Sequence, residues 1–262
     1  MVPGAGVRAG SNAIGSVAEM PAIEAVLLDI GGVFHLPDPG RIAAACERAG
    51  HPINPEAVPR AHYRATTAFS AANEPVEGDA PWQRWWRSYL KVFAAALGVH
   101  DDAVIREVLG HLADEFTTAG LWEYEIPGAR DGLRALEAAG VRLGVVSNND
   151  GEALARLRAI ELAQVGPGIG VAVECVIDSG AVGVEKPDPR IFELALISMR
   201  LRPDQCWYVG DMPGIDAVGA RRAGIRPFIL DPYGDHPGDG YDTVTSLSHL
   251  AQLARVSSSR SA

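Results

Sequence analysis

Short apolar runs that end on polar residues punctuate this chain. Ala25-Val-Leu-Leu28 leads into Asp29 and then Gly31-Gly32. Val141 to Val146 ends at Ser147-Asn148-Asn149, and Val171 to Ile177 at Asp178-Ser179-Gly180. Cys206 to Val209 ends at Gly210-Asp211, and Pro227 to Leu230 at Asp231-Pro232. A short apolar run without alternation reads as a strand buried on both faces. Helical patterns lie between the runs at about 129–139, 151–159, 189–200 and 214–223, with Gly140 and Gly224 where helix-terminating glycines belong. Strand and helix in alternation predict an α/β fold whose parallel sheet is covered by helices on both faces.

Residues 35–122 break the alternation. They show no clear strand, and helical stretches near 41–49, 55–72, 81–97 and 101–119 are separated by Gly50, Pro75, Gly78 and Gly98. This predicts an α-helical insertion between the first and second core strands. Trp82, Trp85, Trp86 and Tyr89 follow an i, i+3, i+4, i+7 spacing and so share one helix face. That face is expected to be core, within the insertion or against the sheet domain. A substrate-facing wall or a dimer surface is the alternative. Arg84 and Arg87 lie elsewhere on that helix and are expected to be solvated.

In open parallel sheets, ligands bind outside the carboxyl ends of the strands. Asp29, Ser147, Asp178 and Asp211 all fall there. A carboxylate such as Asp29 can attack phosphorus and split one displacement into two easier ones. The glycines beside it let backbone N–H groups approach phosphoryl oxygens. Ser147 can donate a hydrogen bond to such an oxygen. Lys186, in Gly183-Val-Glu-Lys-Pro-Asp-Pro189, can neutralise both carboxylate and phosphoryl group, which otherwise repel. Asp211 and Asp216, five apart across Gly210-Asp-Met-Pro-Gly-Ile-Asp216, suit Mg²⁺, which takes a few carboxylates and keeps waters. Each motif taken singly also reads blandly: a glycine-rich turn, a Ser/Asn turn, a solvated lysine, an acid in a helix's first turn.

Together, in this order and each at a strand end, the four elements resemble the four motifs of the haloacid dehalogenase superfamily. Lys186-Pro-Asp-Pro-Arg-Ile-Phe192 and Gly210-Asp211…Asp216…Ala223-Gly224 are particularly similar to the subfamily with a helical cap between motifs one and two. The resemblance spans roughly 24–232. It implies a Rossmann-like, doubly wound core at 23–34 and 123–256 and a helical cap at 35–122. It implies Asp29 as nucleophile, with Ser147 and Lys186 completing the catalytic set. Phosphate would be bound by Ile30, Gly31, Gly32, Ser147, Asn148 and Lys186. Mg²⁺ would be held by Asp29, the Gly31 carbonyl, Asp211 and Asp216, the last directly or through water. The substrate expected is a small phosphorylated metabolite, chosen by the cap.

One position departs from the family. Its phosphatases carry a second Asp two residues after the nucleophile, where this chain has Gly31. That acid protonates the leaving oxygen and later activates water, worth about 10²–10⁴-fold. Three readings stay open. The protein is a phosphatase in which another group, water or a good leaving group compensates, with His35 and Asp38 as substitutes just downstream. It is a dehalogenase, which also lacks the second acid but lacks the Gly-Asp seen at 210–211 as well. Or it is a catalytically weak member that binds a ligand or partner.

Charge and composition narrow the partners. A net charge of −10 disfavours nucleic acid and anionic membrane, which need a basic face. No stretch approaches the roughly 18 apolar residues of a membrane span. Cys46, Cys175 and Cys206 are widely separated and expected to be reduced thiols of a cytoplasmic protein. The seven histidines show no metal-ligand spacing. Residues 1–22 read as a disordered leader without a signal-peptide pattern, and 257–262 as a disordered tail. The protein is expected to be a monomer or homodimer.

Overall fold

The computed structural model describes residues 23–67, 81–116, 121–236 and 241–258, with side chains left out at 81–88, 113–116 and 258. The leader expected at 1–22 and the tail residues 259–262 lie outside these, as do the side chains of Trp82, Trp85, Trp86, Arg84 and Arg87.

In chain order, strand β1 (Ala25–Leu28) is followed by the short β2 (His35–Leu36) and helices α1 (Pro39–Arg48), α2 (Val58–Thr67), α3 (Pro81–Ala96) and α4 (Asp102–Phe116). Then come β3 (Tyr124–Glu125), α5 (Ala129–Ala138), β4 (Arg142–Ser147), α6 (Ala153–Ala159), β5 (Ala163–Val165), β6 (Val171–Val173) and β7 (Val176–Asp178). The chain continues through α7 (Ser179–Val182), α8 (Arg190–Met199), β8 (Cys206–Gly210), a π-helical turn at Pro213–Ala217, α9 (Val218–Arg222), β9 (Arg226–Leu230), β10 (Asp242–Val244) and α10 (Leu247–Ser258). No described helix is long and apolar enough to cross a membrane.

The main sheet has the order β10-β9-β8-β1-β4-β7, all pairs parallel, with β1 at its centre between β4 and β8. Period-two alternation divides each buried strand between two cores. Val26, Leu28, Val145, Trp207 and Val209 face one side with Leu133 and Leu136 of α5 and Leu250 and Ala254 of α10. Ala25, Leu27, Val146, Cys206 and Tyr208 face the other with Ile191, Phe192, Ala195 and Met199 of α8 and Ala220 of α9. The sheet is therefore doubly wound and Rossmann-like, as expected.

The inserted helices build a third core from Ile42, Cys46, Val58, Ala61, Tyr89, Phe93 and Leu112, which also takes in Ile215 from the π-helical turn. Tyr89 is thus a core residue of its helix.

Three expectations are corrected, and one, the helix at about 214–223, is found with a different opening turn. Residues 171–177 form two strands, because β6 pairs with β5 in a separate two-stranded sheet while β7 joins β4 in the main one. The stretch 35–122 does contain a strand: β2 pairs antiparallel with β3, so the insertion leaves and re-enters through a two-stranded stem. Helix 214–223 opens as a π-turn. Of the tail expected at 257–262, Ser257 and Ser258 are instead the end of α10, whose Leu247, Leu250, Ala251 and Ala254 bury one helix face, and Ser257 itself is buried.

Candidate active site

Asp29, Ser147, Lys186, Asp211 and Asp216 are all buried, and the ends of β1 and β8, the π-helical turn and the loop before α8 bring the acids and the lysine together. Asp29 follows β1, its N–H tied to the Val209 carbonyl of β8. Lys186 Nζ lies 2.7 Å from Asp29 Oδ2 and 2.8 Å from Asp216 Oδ1. One oxygen each from Asp29, Asp211 and Asp216 falls within a cluster no wider than 4.8 Å.

Two glycines make room for the acids. Gly32 has φ +67°, and a Cβ there would overlap the Asp211 carboxylate. A Cβ on Gly210 would overlap the carboxylate of Asp216. Gly31, by contrast, has space: a Cβ there would sit 3.6 Å from the Trp122 ring, an ordinary contact.

Asp216 is saturated. Oδ2 accepts the N–H groups of Asp211 and Met212 at 3.0 and 2.9 Å, and Oδ1 accepts Lys186 and the Tyr208 hydroxyl, both at 2.8 Å. The π-helical turn follows from this. It brings Asp216 back over its own loop, and a π-turn is a frequent feature of functional sites. Asp216 therefore fixes Lys186 and the Asp211 loop, while Asp29 and Asp211 retain oxygens for a cation. This donor set fits Mg²⁺, an oxygen-seeking ion that takes few carboxylates.

Burial raises the Asp29 carboxyl to about 7; Lys186 opposes the rise, and Asp216 and Asp211 add to it. Asp211 is likewise raised by burial, against the hydrogen bond from His62. For Lys186, burial disfavours the ammonium, but Asp216 and Asp29 outweigh it, and its pKa stands above the ordinary value. Tyr208 is held well above its ordinary value by burial and by Asp216, so it keeps its proton and donates.

Other predicted residues are placed differently. The Asn148 side chain, expected at the phosphate, braces Lys186: Oδ1 accepts the Lys186 N–H at 2.8 Å and Nδ2 donates to its carbonyl at 3.1 Å. The Ile30 N–H donates to Asp29 Oδ1 at 2.8 Å. Asp178 accepts the N–H groups of Gly151, Ala153 and Gly180, joining β7 to the turn before α6. The two expected acid/base substitutes are engaged elsewhere. Asp38 caps α1 by accepting the Arg41 N–H at 2.8 Å. His35 sits on β2 of the stem, its pKa lowered by burial, with Glu125 and Arg130 as its charged neighbours.

The sequence reading missed a histidine. His62 of α2 is fully buried, with Nε2 2.8 Å from Asp211 Oδ2 and Nδ1 2.8 Å from the Tyr89 hydroxyl. Beside it the Tyr63 hydroxyl donates to the Gly32 carbonyl at 2.8 Å, and the Trp122 ring meets His62 edge-on with centroids 5.4 Å apart. Arg60 and Arg64 of α2 reach Asp235, after β9, at 3.0 and 3.1 Å. No spacing rule flags His62, because its partners are 27 and 149 residues away.

The chain resembles several known proteins. Human haloacid dehalogenase-like hydrolase domain-containing protein 3 is 30% identical over 73% of this chain and 75% of its own; for its bovine counterpart, 31% identical, the match spans 66% of that protein. Phosphoserine phosphatase from Thermus thermophilus is 31% identical over 58% of this chain and 63% of its own. The crystal structure of a HAD phosphatase from Thermococcus onnurineus shares the fold at a TM-score of 0.52, with 19% identity, covering 88% of this chain and 97% of that one. The sequence model of the haloacid dehalogenase-like hydrolase family matches residues 23–224. That match, over most of the chain, and the human relative at 30% identity over 75% of its length lead to one assignment: the chain belongs to the haloacid dehalogenase-like hydrolase family.

Proposed function

We propose that the protein is a Mg²⁺-dependent phosphatase acting on a small phosphorylated metabolite through a phospho-enzyme at Asp29. The observation that carries this reading is the Lys186 ammonium held between Asp29 and Asp216, with Asp211 in the same cluster. Asp29 attacks phosphorus, the ester P–O bond breaks, and the leaving oxygen takes a proton from water as the alcohol departs. Water then attacks the acyl phosphate, releasing phosphate and restoring the carboxylate. Lys186 lowers the repulsion between Asp29 and the incoming phosphoryl group. Ser147, with the Gly31 backbone N–H, orients the phosphoryl oxygens, while the Ile30 N–H donates to Asp29 Oδ1 and the Gly32 N–H to the His35 carbonyl. Asp29, Asp211 and the Gly31 carbonyl would hold Mg²⁺, which supplies positive charge to the phosphoryl oxygens; Asp216 takes part through Lys186 and the loop.

The helices between the stem strands act as a cap that closes over Asp29 and excludes water. Relatives named as phosphoserine phosphatase and phosphoglycolate phosphatase support the reaction class. A phosphate-ester panel with aryl phosphate, with and without Mg²⁺, tests it. Turnover that needs Mg²⁺ and falls roughly 10³-fold or more in Asp29→Asn is expected. Hydrolysis of no phosphate ester at any metal concentration would overturn it. Gly31 favours a second reading as a weak, ligand-binding member, and that outcome would support it.

A further inference from the structure

We propose that His62 is a positioning residue through which the inserted helices set Asp211 for a divalent cation; this rests on the metal-dependent reading above. The contact is built from three elements that meet nowhere in sequence. Helix α3 supplies the Tyr89 hydroxyl, α2 supplies the imidazole, and the loop after β8 supplies Asp211.

The proton positions follow from the partners. A carboxylate oxygen only accepts, so Nε2–H donates to Asp211 Oδ2, and in the neutral imidazole Nδ1 then accepts from Tyr89. Burial holds the Tyr89 phenol well above its ordinary pKa, so it remains a donor. The ring is fully buried and edged by Tyr63, Tyr89 and Trp122, which fixes its plane.

Asp211 has two oxygens. Oδ2 takes His62 and packs against Gly32, where no Cβ can stand. No hydrogen bond described in the structure uses Oδ1, and it is the oxygen left for a cation. A hydrogen bond to the non-coordinating oxygen is the usual way a ligand carboxylate is aimed, and losing such a partner typically costs 10–100-fold in metal affinity. Because the donor comes from the insertion, Asp211 is aimed in full only when α2 is seated. The same contact gives a function to a histidine that lies far from all four strand-end motifs.

Calorimetric titration of the full chain with MgCl₂ tests this without relying on turnover. His62→Leu should weaken Mg²⁺ binding about 10–100-fold. His62→Gln, whose amide can still donate, should stay within a few-fold of wild type, and Tyr89→Phe should fall between them. If His62→Leu fails to fold, Tyr89→Phe decides: weakened binding supports the proposal and unchanged binding overturns it. Turnover lost in His62→Leu should return at raised Mg²⁺, which a purely structural defect would not allow. Unchanged or tighter binding in a folded His62→Leu would overturn the proposal, the latter by showing that His62 competes with the cation. A wild-type protein that binds no Mg²⁺ would also overturn it. Mg²⁺ binding that depends on His62, without any phosphate-ester hydrolysis, would sustain this inference while removing the phosphatase reading.

Discussion

Gly31 and Gly32 are neighbours with opposite tolerances. Gly32 needs its bare backbone twice over, for φ +67° and for the Asp211 carboxylate that fills its Cβ position. Gly32→Ala should displace Asp211 and reduce Mg²⁺-dependent turnover at least 10²-fold, whereas Gly31→Ala, facing Trp122 at 3.6 Å, should leave it within a few-fold. Steady-state kinetics on both variants would check this, and equal losses would contradict the different demands on the two glycines. Gly31 also shapes the chemistry. Without a carboxyl there to protonate the leaving oxygen, a rate contribution of about 10²–10⁴-fold is missing. Among substituted aryl phosphates, kcat/KM should therefore fall steeply as the leaving phenol becomes more basic. A flat dependence would mean that another group protonates the leaving oxygen. Lys186 is the other residue with a large predicted effect. Lys186→Met leaves Asp29 and Asp216 buried without their cation, and breaking a buried pair costs about 3–5 kcal/mol, readable by denaturant unfolding in metal-free buffer.

At the scale of elements, α2 carries a set of polar contacts from the inserted helices to the sheet domain, beside the apolar packing of Ile215 into the helical core. Tyr63 reaches the Gly32 carbonyl, His62 reaches Asp211, and Arg60 and Arg64 converge on Asp235. The Asp235 carboxyl is held below its ordinary 3.8, chiefly by the Arg60 hydrogen bond. A depressed folded-state pKa means the contact is complete above 3.8 and is lost as pH falls through the lower value. Protection of α2 amides, relative to their intrinsic exchange at each pH, should therefore hold down to about pH 4 and fall below it, with Asp235→Asn less protected already at neutral pH. Asp235→Asn exchange indistinguishable from wild type would show that the pair is ornamental. The core strands and the strand-end acids were legible because burial on both faces leaves unbroken apolar runs, and because reactive residues gather where those runs stop. The stem strands, each two residues long, carry no periodicity to read. The division between β6 and β7 is hidden because Val171–Val173 runs on into Val176–Asp178 with almost no break in pattern, and β5 is only three residues long. Asn148 shows the limit within a motif: sequence places it at the strand end but cannot tell a phosphate contact from a brace on Lys186. His62 shows the limit outside one, since only the packing of α2 carries it to Asp211.

Across the whole molecule, the buried cluster is unbalanced. Asp29, Asp211 and Asp216 face the single ammonium of Lys186, in a chain whose net charge is already −10. A divalent cation would relieve that imbalance and should stabilise the fold by mass action, about 2.7 kcal/mol at a hundredfold excess over its Kd. For a chain of this size that corresponds to a rise in Tm of roughly 5–10 °C. The effect should be much reduced in Asp211→Asn, and scanning calorimetry with and without MgCl₂ would show it. The central claim, however, is chemical: Asp29 accepts a phosphoryl group. The most direct measurement is hydrolysis of aryl phosphate by the wild type and by Asp29→Asn across a MgCl₂ titration. The account predicts turnover that appears with Mg²⁺ in the wild type and is lost in Asp29→Asn, whose fold is retained. Undiminished hydrolysis by Asp29→Asn, or none by the wild type on any phosphate ester, would contradict it.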